Sequence, residues 1–108
     1  MIFVDFLGDA TTFRAVCEPV RSALAQLLRV GPEAVVVRRV VTEGGAAELE
    51  LWVELSSEEQ VVRRGGEIAA TLAELVRAHA QQDVWVMFRV VPRSYAFLNG
   101  RPRARGRA

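Results

Sequence analysis

A chain of 108 residues, 51% apolar and 25% charged, has room for one domain and no second core, and its composition excludes a disordered protein. All fourteen basic residues are arginine, which excludes a lysine Schiff base or lysine general base; four of them crowd the last eight positions, so residues 1–100 carry ten arginines against thirteen acids. One cysteine excludes an internal disulfide and one histidine cannot build a metal site alone, so neither a metal nor a cofactor is expected.

Ile2-Phe3-Val4-Asp5-Phe6-Leu7 reads as a short strand closed by Gly8-Asp9. Phe13, Val16, Val20, Leu24, Leu27 and Leu28 then recur at three- and four-residue steps, which predicts an amphipathic helix to about Arg29. Pro19 falls inside it and predicts a kink or a restart, because an interior proline removes a backbone hydrogen bond.

After Gly31-Pro32-Glu33, the segment 34–42 with its five valines reads as a second strand, turned by Gly44-Gly45. Ala47, Leu49, Leu51, Val53 and Leu55 alternate with Glu48, Glu50, Trp52 and Glu54, the period-two pattern of a strand with one buried face.

Ser57-Glu58-Glu59-Gln60 is a capping box that starts a second helix. Its inner face is predicted as Val61, Gly65, Ile68, Leu72, Leu75 or Val76, and His79. Gly65-Gly66 in mid-helix costs up to about 1 kcal/mol per residue against alanine, so a close approach of helix to sheet is expected there. Residues 84–91 form the last strand, ended by Pro92.

The order is β-α-β-β-α-β, an α+β two-layer sandwich with one four-stranded sheet and two helices on one face, and a weak strand–helix–strand repeat. A domain over residues 1–100 and a basic arginine-rich tail over 101–108 are expected. The last strand is apolar on both sides: Val84, Val86, Phe88 and Val90 point one way, Trp85, Met87 and Val91 the other. Two helices cover one face of such a sheet, so Trp85, Met87 and Trp52 need another cover: a second copy of the chain is expected, the alternative being the C-terminal segment folded back over them.

Three stretches together resemble the tautomerase superfamily, the fold of 4-oxalocrotonate tautomerase and macrophage migration inhibitory factor, in an uncharacterised bacterial branch. They are Leu28-Arg29-Val30-Gly31-Pro32-Glu33-Ala34-Val35-Val36-Val37, the Ser57–Gln60 helix start, and Asp83–Phe88 with Tyr95-Ala96-Phe97-Leu98-Asn99-Gly100. The resemblance spans about residues 1–100 and implies a homotrimer. It also implies an enzyme chemistry that relies on an N-terminal proline amine, with nearby arginines gripping a substrate carboxylate.

Here Met1 is followed by Ile2 and not by proline. The expectation is a catalytically degenerate homotrimer that binds a small carboxylate or acts structurally. The resemblance implies a pocket built from the strand starts of one copy and the edge of a neighbouring copy, with walls at Met1, Val30, Leu55, Trp85 and Met87 and Arg38 or Arg39 as the basic group. One alternative is an isomerase that uses the Met1 amine. Another is a ferredoxin-like ligand-sensing or interaction module, which shares the element order but places another strand between the two strands of each β-α-β unit.

Arg38 and Arg39 lie on opposite faces of their strand and are also expected to pair with Glu48, Glu50 or Glu54. His79 reads as a helix cap or interface residue and Cys17 as a small buried hydrophobe. The arginines of the tail have no interleaved aromatics, so a solvated or subunit-clasping terminus is expected over nucleic-acid binding. No apolar run approaches the ~18 residues of a membrane span and no basic leader precedes one, so a cytoplasmic location is expected.

Overall fold

The computed structural model describes residues 1–44 and 48–103. Strand β1 (Ile2–Leu7) leads into helix α1 (Ala10–Leu28), and a 3-10 turn at Pro32–Ala34 precedes β2 (Val35–Arg39). Then come β3 (Leu49–Leu55), α2 (Glu58–Ala80) and β4 (Val84–Val90). A second 3-10 turn at Arg93–Tyr95 leads to β5 (Phe97–Leu98) and β6 (Arg101–Pro102).

Local chemistry fixes the helix ends. The Asp9 carboxylate accepts the Thr12 backbone N–H and the Thr12 hydroxyl, both at 2.8 Å, which satisfies donors that the first helical turn leaves free. Ser57 Oγ accepts the Gln60 N–H and caps α2. Arg29 and Gln81 end the two helices in left-handed conformation, with φ of 55° and 53°. Helix α1 runs unbroken through Pro19, so the expected restart does not occur. Pro19 and Ala15 both face solvent, where water can take the carbonyl that the proline leaves without a donor.

The sheet order is β2-β1-β3-β4, with β1 parallel to β2, β1 antiparallel to β3, and β3 parallel to β4. Each β-α-β unit thus pairs its own two strands side by side. This is the arrangement expected of the tautomerase fold, and it excludes the ferredoxin-like alternative.

Both helices lie on one sheet face and touch each other, α1 over β2 and α2 over β3 and β4. Val4, Phe6, Leu51, Val53 and Leu55 meet Val16, Val20, Leu24, Ile68, Leu72 and Val76 in one core, all almost fully buried. Each such side chain contributes roughly 1.5–3 kcal/mol.

The glycine pair divides its roles. A Cβ on Gly65 would lie 3.6 Å from the Phe88 ring, which is the close helix–sheet approach expected; Gly66 faces open space. His79 departs from its predicted place on the inner stripe, being exposed with Nδ1 3.2 Å from the Leu75 carbonyl oxygen. The 3.6-residue pitch carries Ala80 onto the core in its stead. Cys17 is half-buried against the core.

Strand β2 is shorter than predicted because the 3-10 turn takes Ala34 and the sheet pairing stops at Arg39. Gly44 makes its turn at φ 81°, while Gly45 and Ala47 lie outside the described residues. The β5–β6 hairpin is an element that the sequence reading did not place. Asn99 and Gly100, at φ 54° and 78°, provide the two left-handed positions of a type I′ turn. Arg101 and Pro102, assigned by composition to the tail, are its second strand, while Arg105 and Arg107 lie outside the described residues. The hairpin has little contact with the sheet or the helices and projects from the end of β4.

Candidate functional site

The sheet face without helices is the most unusual surface of the chain. Strand register sets its side chains in rows across β2, β1, β3 and β4. One row is Val36, Phe3, Glu54 and Arg89; the next is Arg38, Asp5, Trp52 and Met87; the third is Leu7, Glu50 and Trp85 on β1, β3 and β4.

Charges occupy the middle of this face. Arg38 Nε donates to Asp5 Oδ1 from the neighbouring strand, and Arg89 Nη2 donates to Asp5 Oδ2 at 2.8 Å from two strands away. Arg89 Nε also lies 3.4 Å from Glu54 Oε1. The two guanidiniums rest on aromatic rings, Arg38 5.4 Å from the Phe3 centroid and Arg89 5.6 Å from that of Trp52. Asp5 and Glu54 are each only 8% exposed although no helix covers them.

Burial pushes the Asp5 carboxyl up, but the hydrogen bonds and charges of Arg38 and Arg89 together outweigh it and hold it below its ordinary value. Arg38 is correspondingly raised, first by its hydrogen bond to Asp5. A carboxylate held ionised by two guanidiniums is a poor proton acceptor at neutral pH, so the cluster is suited to holding strands together and not to acid–base work. Two arginines and two acids also leave it electrically balanced.

The residues predicted for a pocket fall in different places within one chain. Leu55 is 1% exposed and belongs to the helix-side core. Val30 follows the left-handed end of α1 and is exposed, with its N–H bonded to the Ala25 carbonyl. Met1 precedes β1, while Trp85 shares a row with Leu7 at the other end of that strand, roughly 20 Å away by strand rise. Met87 lies between them, in the row of Asp5.

Arg38 and Arg39 do point to opposite faces. β1 intervenes between β2 and β3, so Asp5 takes the Arg38 hydrogen bonds while Glu54, one of the expected partners, acts on Arg38 through its charge, and Arg39 Nε donates to the Gly8 carbonyl at 2.9 Å. Trp52 is less bare than expected, for its indole N–H donates to Glu50 Oε1 at 3.0 Å and Arg89 lies over its ring. Trp85 remains 56% exposed.

Asp5 and Arg89 escaped the sequence reading. Their signal was present, because Asp5 and Arg89 are single charges inside otherwise apolar strands, and such a charge needs a partner. Among the described residues no group of three His, Cys, Asp or Glu is placed to hold a metal ion, and no helix is long and apolar enough to cross a membrane.

No family model matches the chain, and no curated protein matches it in sequence. Solved structures do match in shape. A protein of unknown function from Vibrio cholerae superposes with a TM-score of 0.78 at 19% identity, covering 94% of this chain and 86% of that one. A domain of unknown function, DUF1904, from Sebaldella termitidis gives 0.74 at 14% identity over 93% and 97%. A macrophage migration inhibitory factor homologue from Prochlorococcus marinus gives 0.63 at 18% identity over 92% and 96%. A fused 4-OT solved as a symmetric trimer shares the fold too, with a TM-score of 0.65 at 18% identity over 98% of each chain. The chain has the tautomerase fold.

Proposed function

We propose that this protein is a homotrimer of tautomerase fold that does not run the proline-dependent reaction and serves as a structural or weak carboxylate-binding assembly. The observation that carries the reading is the projecting hairpin. Tyr95, Phe97 and Leu98 are 74%, 61% and 51% exposed on an arm that its own chain leaves bare. Apolar groups on an arm of this kind gain from a second copy what their own fold withholds. The open sheet face, with Trp85 exposed and its central charges already paired, supports the same assembly, as does the trimer found for a fused 4-OT of this fold.

Ile2 and not a proline opens β1, and its side chain is packed into the core. Such a position supplies no secondary amine to act as base. For a carboxylate ligand Arg39 is better placed than Arg38, which already directs two nitrogens at Asp5, while Arg39 gives only Nε to the Gly8 carbonyl.

Sedimentation velocity tests the assembly. The expected species has three times the 11.9 kDa chain mass at micromolar concentration, and a monomer there would overturn the reading. Ligand-observed NMR with phenylpyruvate tests the binding, which Arg39→Ala should abolish and Arg38→Ala should leave in place.

A further inference from the structure

At the end of the sheet opposite the hairpin, where α2 ends and β4 begins, a groove of about 520 Å³ is lined by Glu48, Ala73, Arg77, Asp83, Val84 and Trp85. Its chemistry favours a cation. Glu48 and Asp83 contribute two carboxylates, neither in an ion pair among the described residues, against the single charge of Arg77. The C-terminal carbonyls of α2, capped at Gln81, add the negative end of the helix dipole. The Trp85 indole, more than half exposed at the rim, offers a face on which a guanidinium can stack.

The chain carries its own candidate occupant. Residues 1–100 are acidic overall, and the arginines that offset them begin at Arg101 and Arg103, both exposed on the projecting arm. Arg101 is fixed by its pairing with Leu98, and Arg103 by an N–H bond to the Ala96 carbonyl at 3.0 Å. Both are thereby held beyond the end of β4, whereas the groove is at its start, seven strand residues and roughly 20 Å away. They cannot reach the groove of their own chain and can reach that of another.

We infer that in the assembly proposed above the Arg101–Arg103 segment of one copy docks in the Glu48–Asp83–Trp85 groove of the next. Guanidiniums meet the two carboxylates and the indole, and the head-to-tail contact closes into a ring when repeated around a symmetry axis. Pro102, which has fixed φ and no N–H to satisfy, keeps the two arginines on a stiff extended segment.

The test is a charge-swap cycle on the full chain, read by sedimentation at several salt concentrations. Glu48→Arg with Asp83→Arg, and separately Arg101→Glu with Arg103→Glu, should each raise the concentration of half-dissociation about tenfold or more at low salt and reverse its salt dependence, because like charges then face each other and salt screens their repulsion. Combining all four substitutions should restore assembly to within about threefold of the wild type, which a loss of folding could not do. Circular dichroism confirms that each variant is folded. A wild-type assembly that persists unchanged in both double variants would overturn the docking and leave the trimer standing, whereas a wild type that never assembles would overturn the trimer itself. Equal weakening without rescue would also overturn the docking, and a shift of Trp85 fluorescence on adding free arginine to the arm variant would then assign the groove to a small cation.

Discussion

Arg89 and Asp5 are 84 residues apart and joined at 2.8 Å across the breadth of an intervening strand. The Arg89 guanidinium crosses the Trp52 ring on β3 to do so, which ties the edge strand β4 to the central strand β1 on the face that the helices leave bare. Arg38 completes the clamp from the other edge. Asp5→Ala removes the acceptor for both guanidiniums, and it should destabilise the fold by about 2 kcal/mol, a central value for hydrogen bonds to charged groups. Urea unfolding should show a lower midpoint with unchanged slope; an unaltered midpoint would mean that the cluster contributes nothing.

The same carboxylate gives stability a pH dependence. Asp5 has a folded pKa below its ordinary value, because the Arg38 and Arg89 hydrogen bonds and charges overcome the opposing effect of burial. The group therefore binds fewer protons folded than unfolded above its folded pKa. Its contribution is complete above the ordinary carboxylate range and is lost as the pH falls through that range to the folded value. Asp9, lowered by the Thr12 backbone bond, acts in the same direction. Stability measured from pH 6 down to pH 2 should fall, and Asp5→Asn should flatten that decline in part and not wholly.

Two glycines make opposite predictions. Gly66 faces solvent in the middle of α2, and Gly66→Ala should stabilise by about 0.5–1 kcal/mol through helix propensity alone. Gly8→Ala would drive a methyl group into the Leu49 side chain and the buried Phe6 ring, and should destabilise by about 1–3 kcal/mol. Thermal melts of the two variants should move in opposite directions.

These contrasts mark how far the sequence can be read. The alternation around Leu49–Leu55 and the stripe from Val16 to Leu24 name their buried residues directly, since periods of 2 and 3.6 are local properties of the chain. The Asn99-Gly100 hairpin was legible in principle from its dipeptide, whose two residues accept the left-handed positions of a type I′ turn, but strands of two residues each are too short to show an alternation. Arg38's partner was not legible, because a reading in chain order places β2 beside β3, and only the crossover that inserts β1 between them brings Asp5 to it. The pocket walls were named for a site shared between copies; within one chain Leu55 alternates onto the helix side and Met1 and Trp85 stand at opposite ends of the sheet, so only a neighbouring copy could bring such groups together.

The arm offers a direct handle on assembly. Phe97 is 61% exposed, so Phe97→Asp removes nothing from the chain's own core and should leave its thermal unfolding as a monomer intact. In the proposed trimer the same change buries a charge in an apolar contact and should shift the population toward monomer. Sedimentation profiles identical to wild type would place the hairpin outside the interface.

The wild-type protein should give no measurable keto–enol conversion of phenylpyruvate. In the proline-dependent scheme the proton moves to and from a secondary amine at the start of β1, and here Ile2 holds that place with its side chain turned into the core. Asp5, the acid nearest the centre of the open face, is kept ionised by two guanidiniums and is no substitute base. Ile2→Pro should allow removal of Met1, verifiable by mass spectrometry, and place a proline amine at the strand start. A gain of conversion in that variant over the wild type would locate the defect in the amine; a folded, processed Ile2→Pro protein without activity would locate it in the surrounding pocket as well. Wild-type turnover at rates typical of proline-bearing enzymes would overturn the reading of a lost reaction.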